Sequence, residues 1–208
     1  MRVAILDLDG TLLDTLEDLA ASVNHALGVV GIPRRPVEEV RAFVGEGARR
    51  LIERAVAPHG HLVEPALAAW WHHYREHCLD RTRPYPGITA VLAGAGRTLA
   101  VHTNKPGDLA RRILEGVGLL GRFAAVVGGD EAPRKPDPTG ALEILSRLGG
   151  EPAAAVWIGD SRVDAETARA AGIPFVAVTW GFQTRGELAQ AGATVFAESA
   201  ADLAPFLA

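Results

Sequence analysis

Val3, Ala4, Ile5 and Leu6 form an apolar run that stops abruptly at Asp7-Leu8-Asp9-Gly10-Thr11. A short continuous run of this kind fits a strand covered on both faces, and a buried strand that ends in two carboxylates restricts the folds open to the chain. Asp7 and Asp9 repel each other unless a cation, a proton or hydrogen-bond donors sit between them. Gly10 accepts backbone torsions that a side chain opposes, so the chain can turn where the acids gather. Open α/β sheets collect their ligand groups at the carboxyl ends of the strands. The segment is therefore either a metal-binding nucleophile loop at the end of a central strand or an Asp-rich turn that caps a helix, and the other strand ends must discriminate.

Such a strand needs neighbours, and the second half of the chain supplies them. Residues 98–102, 124–127, 153–158 and 175–178 read as strands, interleaved with helical patterns at 87–94, 106–116, 138–148 and 163–171. This alternation predicts an α/β fold with a parallel sheet and right-handed crossovers. Residues 16–83 contain no strand pattern. Helices are expected there at 17–30, 36–43, 48–57 and 65–79, followed by the punctuated exit Arg83-Pro84-Tyr85-Pro86-Gly87. The expected architecture is a Rossmann-like parallel-sheet core, residues 1–15 and 84–208, split by an all-helical cap at 16–83.

A net charge of −4, with the basic residues scattered, offers no footprint for nucleic acid. A small-molecule partner is expected instead. The N-terminal apolar run is too short for a secretory segment and no later stretch reaches spanning length, so no membrane association and a cytoplasmic location are expected, as a monomer or homodimer. Cys78 is the only cysteine, which removes intrachain disulfides and thiolate clusters. Two residue types are scarce: the only lysines are Lys105 and Lys135, the only asparagines Asn24 and Asn104. Three of those four residues fall in loops after expected strands, which points to a specific use.

The later strand ends repeat the polar theme. His102-Thr103-Asn104-Lys105 places a hydroxyl, an amide and an ammonium before Pro106, at an expected helix start, where they suit a phosphate or an ordinary helix cap. In Arg134-Lys135-Pro136-Asp137-Pro138 the prolines are expected to hold an extended segment that aims Lys135 at a fixed point. In Gly159-Asp160-Ser161-Arg162-Val163-Asp164 two acids lie four residues apart, an arrangement that favours an oxygen-liking cation such as Mg²⁺. An N-cap Asp followed by an exposed Asp is the simpler account of that last motif, but it leaves the repetition unexplained. His72, His73 and His77 share one cap helix without matching acids, and surface and packing roles are expected for them.

Asp7 and Asp9, then Thr103 and Asn104, then Lys135, then Asp160 and Asp164, in that order, resemble the haloacid dehalogenase-like hydrolase superfamily. Phe43-Val44-Gly45-Glu46-Gly47-Ala48 and Val178-Thr179-Trp180-Gly181-Phe182 are most similar to segments of its phosphoglycolate phosphatases, whereas Val163 and Gln183 stand where asparagine is more usual. The resemblance implies a phosphatase acting on a small phosphorylated metabolite through an aspartyl-phosphate on Asp7. Asp9 would serve as acid and base, its protonated form favoured before transfer by the crowd of anions. Mg²⁺ would be held by Asp7, the Asp9 carbonyl and Asp160, with Asp164 in support. Thr103, Asn104 and Lys135 would hold the phosphoryl group, and Gly45, Glu46, Gly47 and Arg49 or Arg50 the rest of the substrate, such as the carboxylate of 2-phosphoglycolate. A phosphomutase shares this chemistry, and a phospho-accepting signalling module shares the acids and a strand-end lysine. Such a module lacks a helical insertion after the first strand. Phosphonate cleavage through a cap lysine is disfavoured, because the expected cap contains none.

Overall fold

The computed structural model describes all 208 residues. The first strand, β1 (Val3–Leu6), is wholly buried, as its unbroken apolar run requires. In chain order there follow β2 (Leu13–Asp14), α1 (Leu16–Val29), α2 (Val37–Arg41), α3 (Ala48–Val56), α4 (Val63–His77), β3 (Arg83–Pro84), α5 (Ile88–Ala93), β4 (Thr98–His102) and α6 (Gly107–Gly116). The second half adds β5 (Ala125–Val127), α7 (Thr139–Leu148), β6 (Val156–Gly159), α8 (Arg162–Ala171), β7 (Phe175–Val178), α9 (Arg185–Gln190), β8 (Phe196–Ala197) and α10 (Ala204–Leu207).

Six strands form one parallel sheet in the order β5-β4-β1-β6-β7-β8. Pleating sends Ala4 and Leu6 of β1 into one apolar cluster and Val3 and Ile5 into another on the opposite face. The register pairs Leu6 with both Val101 of β4 and Ile158 of β6, so the residues that follow these strands emerge side by side.

The all-helical insertion consists of α1 to α4, and its two connections to the core pair with each other. Leu13 lies opposite Pro84 and Asp14 opposite Arg83 in a short antiparallel ribbon, β2 with β3, which the sequence pattern does not reveal. Asp18, buried in the first turn of α1, ties down the exit: its carboxylate accepts from the Arg81 N–H at 3.0 and 3.1 Å, the Thr82 N–H at 2.9 Å and Thr82 Oγ1 at 2.8 Å. Four hydrogen bonds on one buried carboxylate fix where the chain leaves the cap.

Several expected elements shift or are new. The helix expected at 36–43 ends at Arg41, and a 3₁₀ turn occupies Pro152–Ala154, so the strand expected from 153 begins at Val156. The prolines around Lys135 make a turn, not an extended arm: the Asp137 N–H closes on the Arg134 carbonyl at 3.0 Å across a cis Lys135–Pro136 bond. α9 and β8 are too short to leave a periodic signature. No helix is long and apolar enough to cross a membrane.

Candidate active site

Asp7 continues the ladder beyond β1, donating its N–H to the Ile158 carbonyl at 3.0 Å, so its side chain is held at the sheet's carboxyl edge. Lys135 comes from the turn before α7 and is 4% exposed. Its ammonium lies 2.7 Å from Asp7 Oδ1 and 2.8 Å from Asp164 Oδ1. Asp7 Oδ1 is buried, and this ammonium is the one group close to it.

Asp160 follows β6 and is held by Thr11 Oγ1 at 3.0 Å and by the Phe182 N–H at 2.8 Å. Gly10 has φ 83°, and a Cβ there would stand 2.2 Å from Asp160 Oδ2. Only glycine satisfies both that torsion and that close approach.

Asp164 is fully buried and already engaged. Ser161 caps α8, and Asp164, three residues on, returns the capping bond by accepting the Ser161 N–H at 3.1 Å on Oδ2 while Oδ1 receives Lys135. It therefore anchors the lysine instead of lining the cavity.

Carboxylate oxygens of Asp7, Asp160 and Asp164 lie within 4.8 Å of one another. Burial first, then Asp164 and Asp9, lift Asp7 to about 7 against the pull of Lys135, and burial with Asp164 and Asp7 raises Asp160 well above the carboxylate range. Burial alone would lower Lys135, but Asp164 and Asp7 outweigh it and raise the ammonium. Clustered carboxylate oxygens of Asp7 and Asp160, buried and carrying a surplus of negative charge, make a donor set that fits a hard divalent cation.

Asp7 and Asp160 border a cavity of about 320 Å³ between core and cap, lined also by Asp9, Thr103, Gly45 and Arg41 among others. Thr103 Oγ1 accepts the Lys105 N–H at 3.2 Å and donates to no protein acceptor, so its hydrogen is free for a ligand. Asn104 differs from expectation. Its Nδ2 donates to the carbonyls of Gly45 at 3.0 Å and Lys135 at 3.1 Å, and its Oδ1 accepts the Lys135 N–H at 2.8 Å. The side chain brackets cap loop to lysine loop and has no donor left for a phosphate.

Asp9 accepts from Thr15 Oγ1 at 2.7 Å and from Lys105 Nζ at 2.9 Å. The expected crowd of anions around Asp9 is therefore joined by a close ammonium, which the sequence pattern does not reveal.

In the cap, Gly47 has φ 89° and opens α3 toward the cavity, as Gly45 borders it. Arg49 and Glu46 do not take the expected places. Arg49 turns outward to Glu64 at 2.8 Å and Arg50 pairs with Glu53 at 2.7 Å, because α3 presents both positions to solvent, while Glu46, in the loop before α3, pairs with Arg54. Arg41, at the end of α2, is the arginine at the cavity: it reaches the Gly181 carbonyl at 3.3 Å and Glu38 at 3.0 Å. Its place just before the glycine loop was the available signal. Of the three cap-helix histidines, His72 is exposed, while His73 stacks on His25 and His77 at 4.3 and 4.2 Å between ring centroids.

His102, at the end of β4, is wholly buried against Trp157, and neither ring nitrogen has a partner. Burial, then the Lys135 charge, pushes it down to about 3.

The family pattern for haloacid dehalogenase-like hydrolases matches residues 4–178. The chain belongs to this family. As a haloacid dehalogenase-like hydrolase it is 40% identical over 192 residues to the phosphoglycolate phosphatase of Mesorhizobium japonicum, covering 88% of this chain and 85% of that one. It is 37% identical over 219 residues to the phosphoglycolate phosphatase of Rhodospirillum rubrum, covering 99% and 90%. A crystal structure from Haemophilus somnus, described as a predicted phosphoglycolate phosphatase, superposes with a TM-score of 0.91 at 30% identity, over 98% of this chain and 96% of that one. This hydrolase thus shares fold and family with phosphatases.

Proposed function

We propose that the protein hydrolyses a small phosphomonoester, 2-phosphoglycolate or a close analogue, by nucleophilic attack of Asp7 with Mg²⁺ in the acidic pocket. One observation carries this reading: Asp7, Asp9 and Asp160 open into a single cavity, with the Lys135 ammonium fixed 2.7 Å behind Asp7. Asp7, Asp160 and the Asp9 carbonyl would hold the cation. When bound, it offsets negative charge as a carboxylate and a phosphate approach.

Every other part of the chemistry belongs to side chains. An Asp7 oxygen attacks phosphorus, the bond to the leaving oxygen breaks, and Asp9 supplies that oxygen with a proton. Asp9 then takes a proton from the water that cleaves the aspartyl-phosphate, which restores both acids. Lys135, locked by Asp164, offsets charge on the phosphoryl oxygens, and the free hydrogen of Thr103 is available to one of them. Arg41 replaces Arg49 as the partner for a substrate carboxylate.

The test is phosphate release from 2-phosphoglycolate by parent, Asp7→Asn and Asp9→Asn, with Mg²⁺ and with chelator. Release should require Mg²⁺, vanish in Asp7→Asn and fall on the order of 10²-fold or more in Asp9→Asn. Near-parental turnover in either variant refutes the roles.

A further inference from the structure

Lys105 is one of two lysines in the chain, and the steps above do not use it. It follows Thr103 and Asn104 in the loop before α6, yet its side chain is only 5% exposed. Nζ lies 2.9 Å from each oxygen of Asp9. On its other side Nζ donates to the hydroxyl of Tyr74 at 2.9 Å and stands 4.9 Å from that ring's centroid. Tyr74 is fully buried and belongs to α4, so the contact joins a cap helix to a core acid through a core lysine.

A buried ammonium spanning both oxygens of a carboxylate fixes where that carboxylate sits and how it is turned. Thr15 Oγ1, from the last core residue before α1, supplies the second constraint at 2.7 Å. Of the three groups that hold Asp9 or its lysine, Tyr74 therefore comes from the cap and Thr15 from the point where the chain enters it. Lys105 lines the cavity beside Asp9, but its ammonium spends its three close contacts on the two Asp9 oxygens and the Tyr74 hydroxyl, which leaves no donor direction for a substrate.

We propose that Lys105 is the positioning residue for Asp9, and that Tyr74 makes this positioning depend on how the cap is seated. The inference rests on the acid–base role of Asp9 stated above. Lys105 acts through Asp9 alone: it sets the carboxylate against the leaving oxygen and the attacking water without touching either.

The test is a double-mutant cycle with Lys105→Met, which keeps the length of the side chain, in the parent and in Asp9→Asn. In the parent, kcat on an alkyl phosphate should fall on the order of 10²-fold, as for a catalytic group displaced by about 1 Å, with KM nearly unchanged. In Asp9→Asn the same substitution should cost less than about 2-fold, because groups acting as one unit are not additive. Single-turnover release of nitrophenolate from nitrophenyl phosphate, a leaving group that needs no proton, should be spared in Lys105→Met. Tyr74→Phe, which removes only a hydroxyl, should lower kcat in the same pattern and serves if Lys105→Met does not fold.

Equal losses in both backgrounds, or a raised KM at unchanged kcat, overturn the proposal. If Asp9→Asn itself is near-parental, the acid–base reading fails first, and that outcome is separate from a failure of Lys105.

Discussion

His102 allows a stability prediction whose size follows from the structure. Buried without a partner for either ring nitrogen, it is held near 3 by burial and by the Lys135 charge, against 6.5 for a free imidazole. The folded value is lower, so on acidification the unfolded chain takes up this proton first. The stability it withholds is fully present above pH 6.5 and is lost as pH falls from 6.5 toward 3. For a single site with these two values, the loss between about pH 7.5 and about pH 5 is about 2 kcal/mol.

Asp7 and Asp160, whose folded values are raised, act in the opposite direction. Their contribution is common to parent and variant and cancels in the difference. In His102→Met the flexible thioether fills the space of the ring without a titrating group. The variant should therefore lose about 2 kcal/mol less than the parent across that interval. At neutral pH it should be at least as stable, since two unpaired buried nitrogens are removed. Urea unfolding at the two pH values, with equal slopes as the check on two-state behaviour, measures this. If parent and variant lose stability equally on acidification, the buried neutral imidazole is the wrong description.

Gly10→Ala places a methyl group 2.2 Å from Asp160 Oδ2 at φ 83°, so Mg²⁺ affinity by calorimetric titration should fall about tenfold or more while the circular dichroism spectrum is retained; unchanged affinity contradicts the geometry. Asp18→Asn trades an acceptor for a donor facing the Arg81 and Thr82 N–H groups, and should lower stability by about 2–4 kcal/mol in thermal melts. A loss under about 0.5 kcal/mol means that the exit is not anchored there. Arg41→Ala should raise KM for 2-phosphoglycolate about tenfold and leave ethyl phosphate nearly unaffected, whereas Arg49→Ala, which disturbs only an exposed pair with Glu64, should change neither. The reverse pattern would return the carboxylate contact to α3.

Patterns that repeat within a few residues were readable directly. The apolar run of β1, the alternation of strands with helices after residue 87, and the strandless stretch of the cap each record burial with a local period, and burial is what shapes composition along a strand or helix. The acids and the lysine at strand ends were readable because a parallel sheet brings such ends together whatever the loop lengths between them.

What the chain does not encode locally is which polar groups meet. Lys105 with Asp9 spans 96 positions, and Asn104 with Gly45 spans 59. No period connects such pairs, and their geometry depends on strand register and on where a helix face happens to turn. By itself the sequence determined the layering of the fold and the inventory of the pocket. Only the tertiary structure decided that Arg41 and not Arg49 faces the cavity, that Asn104 brackets two loops, and that Asp164 holds Lys135, because side-chain pairing is settled by packing between distant segments and not by their order.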